Sequence, residues 1–131
     1  MIKRMIMTAI VALGIGSSCN AHTQNDIPSV LPEQFAKEMK SDTTAVILDV
    51  RTPEEYSQGH LQDARLIDFK DSSNFDKAIS ELPKDKTYYV YCRSGRRSMS
   101  AAEKMKEQGL RVVDMAGGII AWEKDGLPVV K

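Results

Sequence analysis

The most informative run of residues in this chain is Tyr88-Tyr89-Val90-Tyr91-Cys92-Arg93-Ser94-Gly95-Arg96-Arg97-Ser98. Its first half is rich in aromatic and β-branched side chains, which is typical of a buried strand. The strand is predicted to end at Cys92, and residues 98–107 have the pattern of a helix. Parallel α/β sheets present reactive groups on loops at the carboxyl ends of their strands, so we expect a functional site here.

The charges of this loop predict that Cys92 is a nucleophile. A thiol attacks as its thiolate, and the ordinary cysteine pKa of roughly 8.5 falls beside cations and at helix N-termini. Arg93, Arg96 and Arg97 supply cations, and the unpaired amides at the start of the helix add partial positive charge. Gly95 permits backbone angles that let successive N–H groups form an anion-binding nest. The sequence therefore predicts a shallow cationic cup for a small anion.

A purely structural reading of the same residues is the alternative. Free cysteine is often only a small buried apolar residue, and arginine runs often form solvated faces. Cations that directly follow a lone cysteine at a strand end fit a core position poorly. Electropositive surroundings are instead typical of reactive cysteines, which favours the functional interpretation.

Length and composition indicate one ordinary soluble domain. The chain has 131 residues, no net formal charge, 27% charged and 42% hydrophobic residues. No broad basic excess indicates nucleic-acid binding, so the arginines near Cys92 are a local feature. No histidine, cysteine or carboxylate cluster has metal-ligand spacing, and no glycine-rich stretch suits a nucleotide. We therefore expect no metal and no cofactor.

Residues 1–18 have the pattern of an export signal. Lys3 and Arg4 precede an apolar stretch, 5–16, and the small residues Ser17 and Ser18 follow it. A membrane-spanning helix needs about 20 apolar residues, more than this stretch provides. We expect an exported protein, in the periplasm or lipid-anchored in the bacterial cell envelope.

Two interpretations of Cys19 stay open. The run Gly16-Ser17-Ser18-Cys19 resembles a relaxed bacterial lipobox, in which the cysteine is lipidated, although that motif usually has leucine where Gly16 stands. Ordinary cleavage after Ala21 is the other interpretation, and it extends the signal to residue 21. Both remove Cys19 as a disulfide partner of Cys92. Residues 19–27 are then a tether and residues 28–131 the folded domain.

The rest of the chain alternates between predicted helices and strands. Such alternation indicates a parallel α/β sheet with right-handed crossovers. Thr52, Pro53 and Glu55 have the spacing of a helix-capping box. The predicted elements are a helix over Ser29–Lys40, strands over Thr43–Val50 and Ala64–Ile67, a helix within Asp71–Leu82 capped by Ser73 or Asn74, the strand Arg111–Met115 and a last helix opened by Gly117-Gly118.

From about Pro28 to Val130 the sequence resembles a rhodanese domain. That family shows a strand ending in D-V-R, then E-x-x-x-G-H, the loop C-x-x-G-x-R, and G-G followed by W. The matching residues are Asp49-Val50-Arg51, Glu55-Tyr56-Ser57-Gln58-Gly59-His60, Cys92-Arg93-Ser94-Gly95-Arg96-Arg97 and Gly117-Gly118 with Trp122. The resemblance implies an α/β, three-layer fold with a central, mainly parallel five-stranded sheet flanked by helices.

The resemblance also implies a sulfurtransferase. Cys92 would take a sulfane sulfur as a persulfide and pass it to an acceptor such as cyanide or a thiol, in two covalent steps. The amides of residues 93–97, including those of Ser94 and Gly95, would cradle the anionic sulfur. The guanidinium groups of Arg93, Arg96 and Arg97 would favour thiosulfate or a related anion as donor. Asp49 is expected to pair with an arginine or an amide near the loop, and His60 to be a hydrogen-bonded structural residue. Two roles stay open for Arg51, contact with a substrate and fixing the strand end.

Other classes of thiol protein fit the same loop to different degrees. Cysteine phosphatases and arsenate reductases use C-x5-R, but the residue at that spacing from Cys92 is Ser98, and Arg97 comes one place early. A thiol oxidoreductase would need the resolving cysteine of a C-x-x-C motif. A non-catalytic persulfide carrier or binding module in the cell envelope would use the same loop, and it stays the principal alternative.

Overall fold

The computed structural model describes residues 26–131 of the chain. The predicted signal, the open question at Cys19 and almost all of the predicted tether lie outside the described residues. No helix within 26–131 is long and apolar enough to cross a lipid bilayer. The strands are β1 Ser29–Val30, β2 Ala45–Asp49, β3 Arg65–Leu66, β4 Thr87–Tyr91 and β5 Arg111–Met115, and the helices are α1 Pro32–Ser41, α2 Pro53–Ser57, α3 Ser72–Ser80, α4 Arg96–Glu107 and α5 Gly118–Lys124.

The five strands form one sheet in the order β1-β5-β4-β2-β3, and every pairing in it is parallel. This arrangement confirms the predicted α/β fold. Strand β4 is central, with β5 on one side and β2 on the other, and Tyr91 is in register with Asp49. Because parallel strands end at the same edge of a sheet, Cys92 emerges between the ends of two neighbouring strands.

The side chains of β4 point alternately to the two faces of the sheet, so the core has two layers. Tyr88 and Val90 lie on one face of the sheet with side chains of α3 and α4, and Cys92 belongs to the same cluster. Tyr89 and Tyr91 lie on the other face with side chains of α1 and α5. Successive strand residues point to opposite faces, and burying each such side chain contributes about 1.5–3 kcal/mol. The predicted three-layer arrangement follows from this pattern.

The start of the domain differs from the sequence-based expectation. The predicted helix over Ser29–Lys40 begins only at Pro32, because Ser29–Val30 forms the edge strand β1. The Pro28 carbonyl accepts a hydrogen bond of 2.8 Å from the Asp114 amide in β5, and the Val30 carbonyl accepts one of 2.8 Å from the Ala116 amide directly after β5. Leu31, expected on the apolar face of the helix, is instead 69% exposed. Further along, Asp71 rather than Ser73 or Asn74 precedes helix α3.

Candidate active site

Cys92 directly follows the central strand and is almost completely buried, with 1% of its surface exposed. Its Sγ accepts a hydrogen bond of 3.0 Å from the backbone amide of Gly95. Gly95 has a φ of +107°, a conformation that residues with a Cβ rarely adopt, and α4 begins at the next residue. The chain thus folds back over the sulfur and aims an N–H group at it. An anionic sulfur at this position would be stabilised by a donor already in place.

The last helix holds the backbone of the cysteine loop. The Ile119 amide donates to the Cys92 carbonyl at 2.9 Å, and the Ile120 amide donates to the Arg93 carbonyl at 3.2 Å. These amides lie in the first turn of α5, where no carbonyl of the helix can accept from them. A Cβ on Gly118 would lie 2.3 Å from the Arg93 carbonyl oxygen, so only glycine allows this approach. The glycine pair therefore positions a helix start against the loop.

A buried polar network lies at the end of β2, the strand that neighbours β4. The Arg51 side chain donates to both carboxylate oxygens of Asp49, at 2.9 and 2.6 Å, and to the Gly59 carbonyl at 2.7 Å. The Tyr91 hydroxyl donates to Asp49 at 2.7 Å and accepts from the Leu61 amide at 3.1 Å. Burial, and then the nearby Asp49 carboxylate, raise the pKa of Tyr91, so its hydroxyl keeps its proton. The predicted pairing of Asp49 with an arginine is confirmed.

The arginines of the loop have different surroundings. Arg97 forms a two-pronged ion pair with Glu55, and hydrogen bonds from Arg97 lower the pKa of Glu55 to about 2. Arg93 and Arg96 are exposed and form no ion pair with any residue in 26–131, and Ser94 is exposed as well. The roles of Arg93, Ser94, Gly95, Arg96 and Arg97 in binding a donor stay predictions.

Glu55 is itself fixed by the start of helix α2. The Thr52 hydroxyl accepts from the Glu55 amide at 3.3 Å, and the Glu55 carboxylate accepts from the Thr52 amide at 3.0 Å. This is the predicted capping box, with Pro53 at the first helical position. The same carboxylate therefore caps α2 and binds Arg97 at the start of α4.

A cavity of about 200 Å³ lies beside the loop. Cys92 does not line this cavity, but Arg93 does. Glu123 and Gln58 were not singled out from the sequence, since only the packing of α5 and α2 beside the loop brings them here. The lining residues are Arg51, Glu55, Gln58, Gly59, Arg93, Ile119, Ile120 and Glu123.

His60 has the structural surroundings predicted for it. Its Nδ1 lies 2.9 Å from the Tyr56 carbonyl oxygen, and its ring stacks on the Tyr56 ring with centroids 3.7 Å apart. Its backbone pairs with Val130 near the end of the chain. No group of three or more histidine, cysteine, aspartate or glutamate side chains in residues 26–131 is arranged to hold a metal ion.

A buried carboxylate on β5 links the start of the domain to α4. Asp114 accepts hydrogen bonds from the hydroxyls of Ser98 and Ser29, the second at 2.9 Å. Burial raises the pKa of Asp114, and the two hydroxyls oppose that effect. Ser98 lies in the first turn of α4, so this contact helps to fix the helix that follows the cysteine loop.

These features define an open α/β protein with a thiol site at the carboxyl end of its central strand. The family model of the rhodanese-like domain matches residues 31–125, and the chain belongs to that family. It is 38% identical over 112 residues to a sulfurtransferase of Allochromatium vinosum, covering 81% of this chain and 94% of that one.

Two further proteins support the same assignment. Thiosulfate sulfurtransferase 16 of Arabidopsis thaliana is 36% identical over 91 residues, which cover 62% of this chain and 76% of the relative. The crystal structure of a rhodanese-related protein from Thermoplasma volcanium matches with a TM-score of 0.68 and 33% identity, covering 79% of this chain and 97% of that one.

Proposed function

We propose that this protein is a sulfurtransferase that moves a sulfane sulfur from thiosulfate, or a similar anionic donor, to a thiophilic acceptor. The observation that carries the proposal is the hydrogen bond from the Gly95 amide to Sγ of Cys92, at the end of the central strand and the start of α4. The names of the Allochromatium and Arabidopsis relatives support the same activity.

In the first step the Cys92 thiolate attacks the outer sulfur of thiosulfate. A sulfur–sulfur bond forms at Sγ, the sulfur–sulfur bond of the donor breaks, and sulfite leaves with the bonding electron pair. The enzyme then carries a persulfide anion, and the Gly95 amide is available to stabilise negative charge at the loop. The exposed side chains of Arg93 and Arg96 would attract the donor by charge.

In the second step a nucleophilic acceptor attacks the outer sulfur of the persulfide. A bond forms between acceptor and sulfur, and the Cys92 thiolate leaves with the electron pair of the broken bond. Cyanide would give thiocyanate, and a thiolate would give a persulfide of the acceptor. Each step transfers one sulfur between nucleophiles, so no outside oxidant or reductant is consumed and ping-pong kinetics are expected.

Intact mass of the protein tests this proposal. Wild-type protein and Cys92→Ser are incubated with thiosulfate, freed of excess donor, weighed, and then treated with cyanide. We expect the wild type alone to gain one sulfur and to lose it as thiocyanate, with circular dichroism showing that both proteins are folded. A mass gain in Cys92→Ser, or none in the wild type, would overturn the proposal. Multiple turnovers distinguish an enzyme from a carrier that is emptied once.

Export is a second, independent part of the proposal. The pattern of residues 1–18 supports secretion, and either lipidation at Cys19 or cleavage after Ala21 would complete it. Expression of the full chain in a bacterial host, followed by fractionation and mass analysis of the mature N-terminus, separates the outcomes. A diacylated N-terminal Cys19 or an N-terminal His22 supports export, and an intact Met1 in the cytoplasm contradicts it.

A further inference from the structure

The second half of the cysteine loop is held between β5 and the start of α4. Gly95 lies against the end of β5, since a Cβ on it would come within 3.4 Å of the Gly117 amide nitrogen and 3.9 Å of the Met115 carbonyl oxygen. The Gly95 carbonyl accepts a hydrogen bond of 3.2 Å from the Met99 amide in α4. Because the Gly95 amide donates to Sγ of Cys92, the contacts that fix Gly95 also aim this donor at the sulfur.

Ser98 connects Gly95 to a buried carboxylate of β5. Its hydroxyl oxygen lies 3.2 Å from the Gly95 carbonyl oxygen and 2.5 Å from Oδ1 of Asp114. The two side chains are closed to solvent, with 0% of Ser98 and 2% of Asp114 exposed, so bulk water does not replace these contacts. Oδ2 of Asp114 accepts another hydrogen bond, of 2.9 Å, from the Ser29 hydroxyl on β1. The carboxylate thus has one hydroxyl partner on the loop side and one on the side away from it.

We propose that Asp114 and Ser98 are positioning residues for sulfur transfer. Asp114 fixes the side chain of Ser98, and Ser98 fixes the carbonyl of Gly95. The Gly95 amide is thereby kept on Sγ of Cys92, where it orients and stabilises the attacking thiolate. The inference rests on the proposed function, because it assigns both residues to the step in which this thiolate displaces sulfite from thiosulfate.

Two alanine variants separate positioning from stability. Ser98→Ala and Ser29→Ala each remove one hydroxyl from the same carboxylate, but only Ser98 also contacts the loop. Intact mass at quenched times, over a range of thiosulfate concentrations, gives the maximal loading rate and the half-saturating concentration. We expect Ser98→Ala to lower the maximal rate by about tenfold or more, the scale of a misplaced catalytic group. The half-saturating concentration should not change, since the exposed cations Arg93 and Arg96 are untouched, and Ser29→Ala should change neither quantity.

A conservative change at Asp114 provides the second test. Asparagine keeps an oxygen that accepts a hydrogen bond from Ser98, whereas valine has nearly the same size and accepts none. We expect Asp114→Val to load as slowly as Ser98→Ala, and Asp114→Asn to recover most of the lost rate. Circular dichroism and urea denaturation identify the variants that are folded under the assay conditions. If Ser98→Ala or Asp114→Val is unfolded, the other one decides.

A wild-type loading rate in a folded Ser98→Ala or Asp114→Val protein would overturn the proposal. Equal slowing by Ser29→Ala would show a general structural effect and would overturn it as well. So would a rise in the half-saturating concentration alone, because that result would assign Ser98 to binding of the donor. All three outcomes leave sulfur transfer intact, since the wild type still gains one sulfur. Failure of the wild type to load would instead count against the proposed function.

Discussion

Arg97 and Glu55 form a bidentate ion pair, with Nη1–Oε1 and Nη2–Oε2 distances of 2.9 Å each. The pair joins the first turn of α4 to the first turn of α2, on either side of the cysteine loop. An anionic donor that used Arg97 would have to compete with a carboxylate held in ideal geometry. Arg97 therefore positions the loop in the resting protein.

This ion pair makes part of the stability dependent on acid pH. The pKa of Glu55 is lowered from 4.5 to about 2, so its stabilising contribution is complete above pH 4.5 and is lost as the pH falls towards 2. We expect Glu55→Gln to be less stable than the wild type at pH 6 and to lose less stability between pH 4.5 and 2.5. Urea denaturation at each pH measures the difference.

Glu54→Gln is the matched control, since the exposed Glu54 side chain forms no hydrogen bond or ion pair with other described residues. Its acid dependence should follow that of the wild type. Parallel acid profiles for Glu55→Gln and the wild type would contradict the role given to the pair.

Gly118→Ala should disable the site, while Gly126→Ala should not. Both glycines have positive φ, +63° and +77°, so each alanine costs about 1–2 kcal/mol of backbone strain. At Gly126 nothing lies within 4 Å of the new Cβ, whereas at Gly118 it meets the carbonyl of Arg93. We expect Gly118→Ala to lose a further few kcal/mol, on the scale of an overpacked core, and most of its sulfur-loading rate. Denaturation and loading assays on both variants decide the matter, and equal stability with equal loading would refute the prediction.

Tyr91→Phe should cost more stability than Tyr89→Phe. The Tyr91 hydroxyl has two buried partners, the Asp49 carboxylate and the Leu61 amide, and a buried polar group left unpaired costs about 1–3 kcal/mol. The Tyr89 hydroxyl donates to the Asp42 carboxylate. Asp42 is half-buried, so a water molecule can replace the lost hydroxyl as its hydrogen-bond donor. Chemical denaturation should show a loss of about 2–3 kcal/mol for Tyr91→Phe and about 1 kcal/mol or less for Tyr89→Phe. The reverse order would contradict the assigned network.

Asp114→Asn should gain stability relative to the wild type as the pH rises. Burial raises the pKa of Asp114 above its ordinary 3.8, so the folded state binds that proton more tightly than the unfolded state. The resulting stabilisation is present below pH 3.8 and is lost as the pH rises through the folded pKa. Asparagine cannot ionise and escapes that loss. The difference in unfolding free energy between variant and wild type, measured at pH 4 and pH 7, should shift in favour of the variant, and a shift towards the wild type would disprove the assignment.

Local patterns predicted the fold well, and long-range contacts were harder to predict. The capping box of Thr52 and Glu55 lies within four residues, so spacing alone was sufficient. The partner of Arg97 is 42 residues away, and nothing in the loop sequence indicated that this arginine is already paired. The strand at Ser29–Val30 was missed because only two residues pair, and an apolar Leu31 beside them completed a helical pattern.

The hydrogen bonds from Ile119 and Ile120 to the cysteine loop have a consequence for the order of assembly. The ribosome adds Cys92 well before Ile119 and Ile120, whose amides hydrogen-bond to the backbone of the cysteine loop. A nascent chain that stops short of Gly117 has the thiol but neither the helix start nor the glycines that hold the loop. The backbone at Cys92 and Arg93 therefore gains these two hydrogen bonds only after Ile119 and Ile120 have been synthesised, and a chain without the final segment would lack both of them.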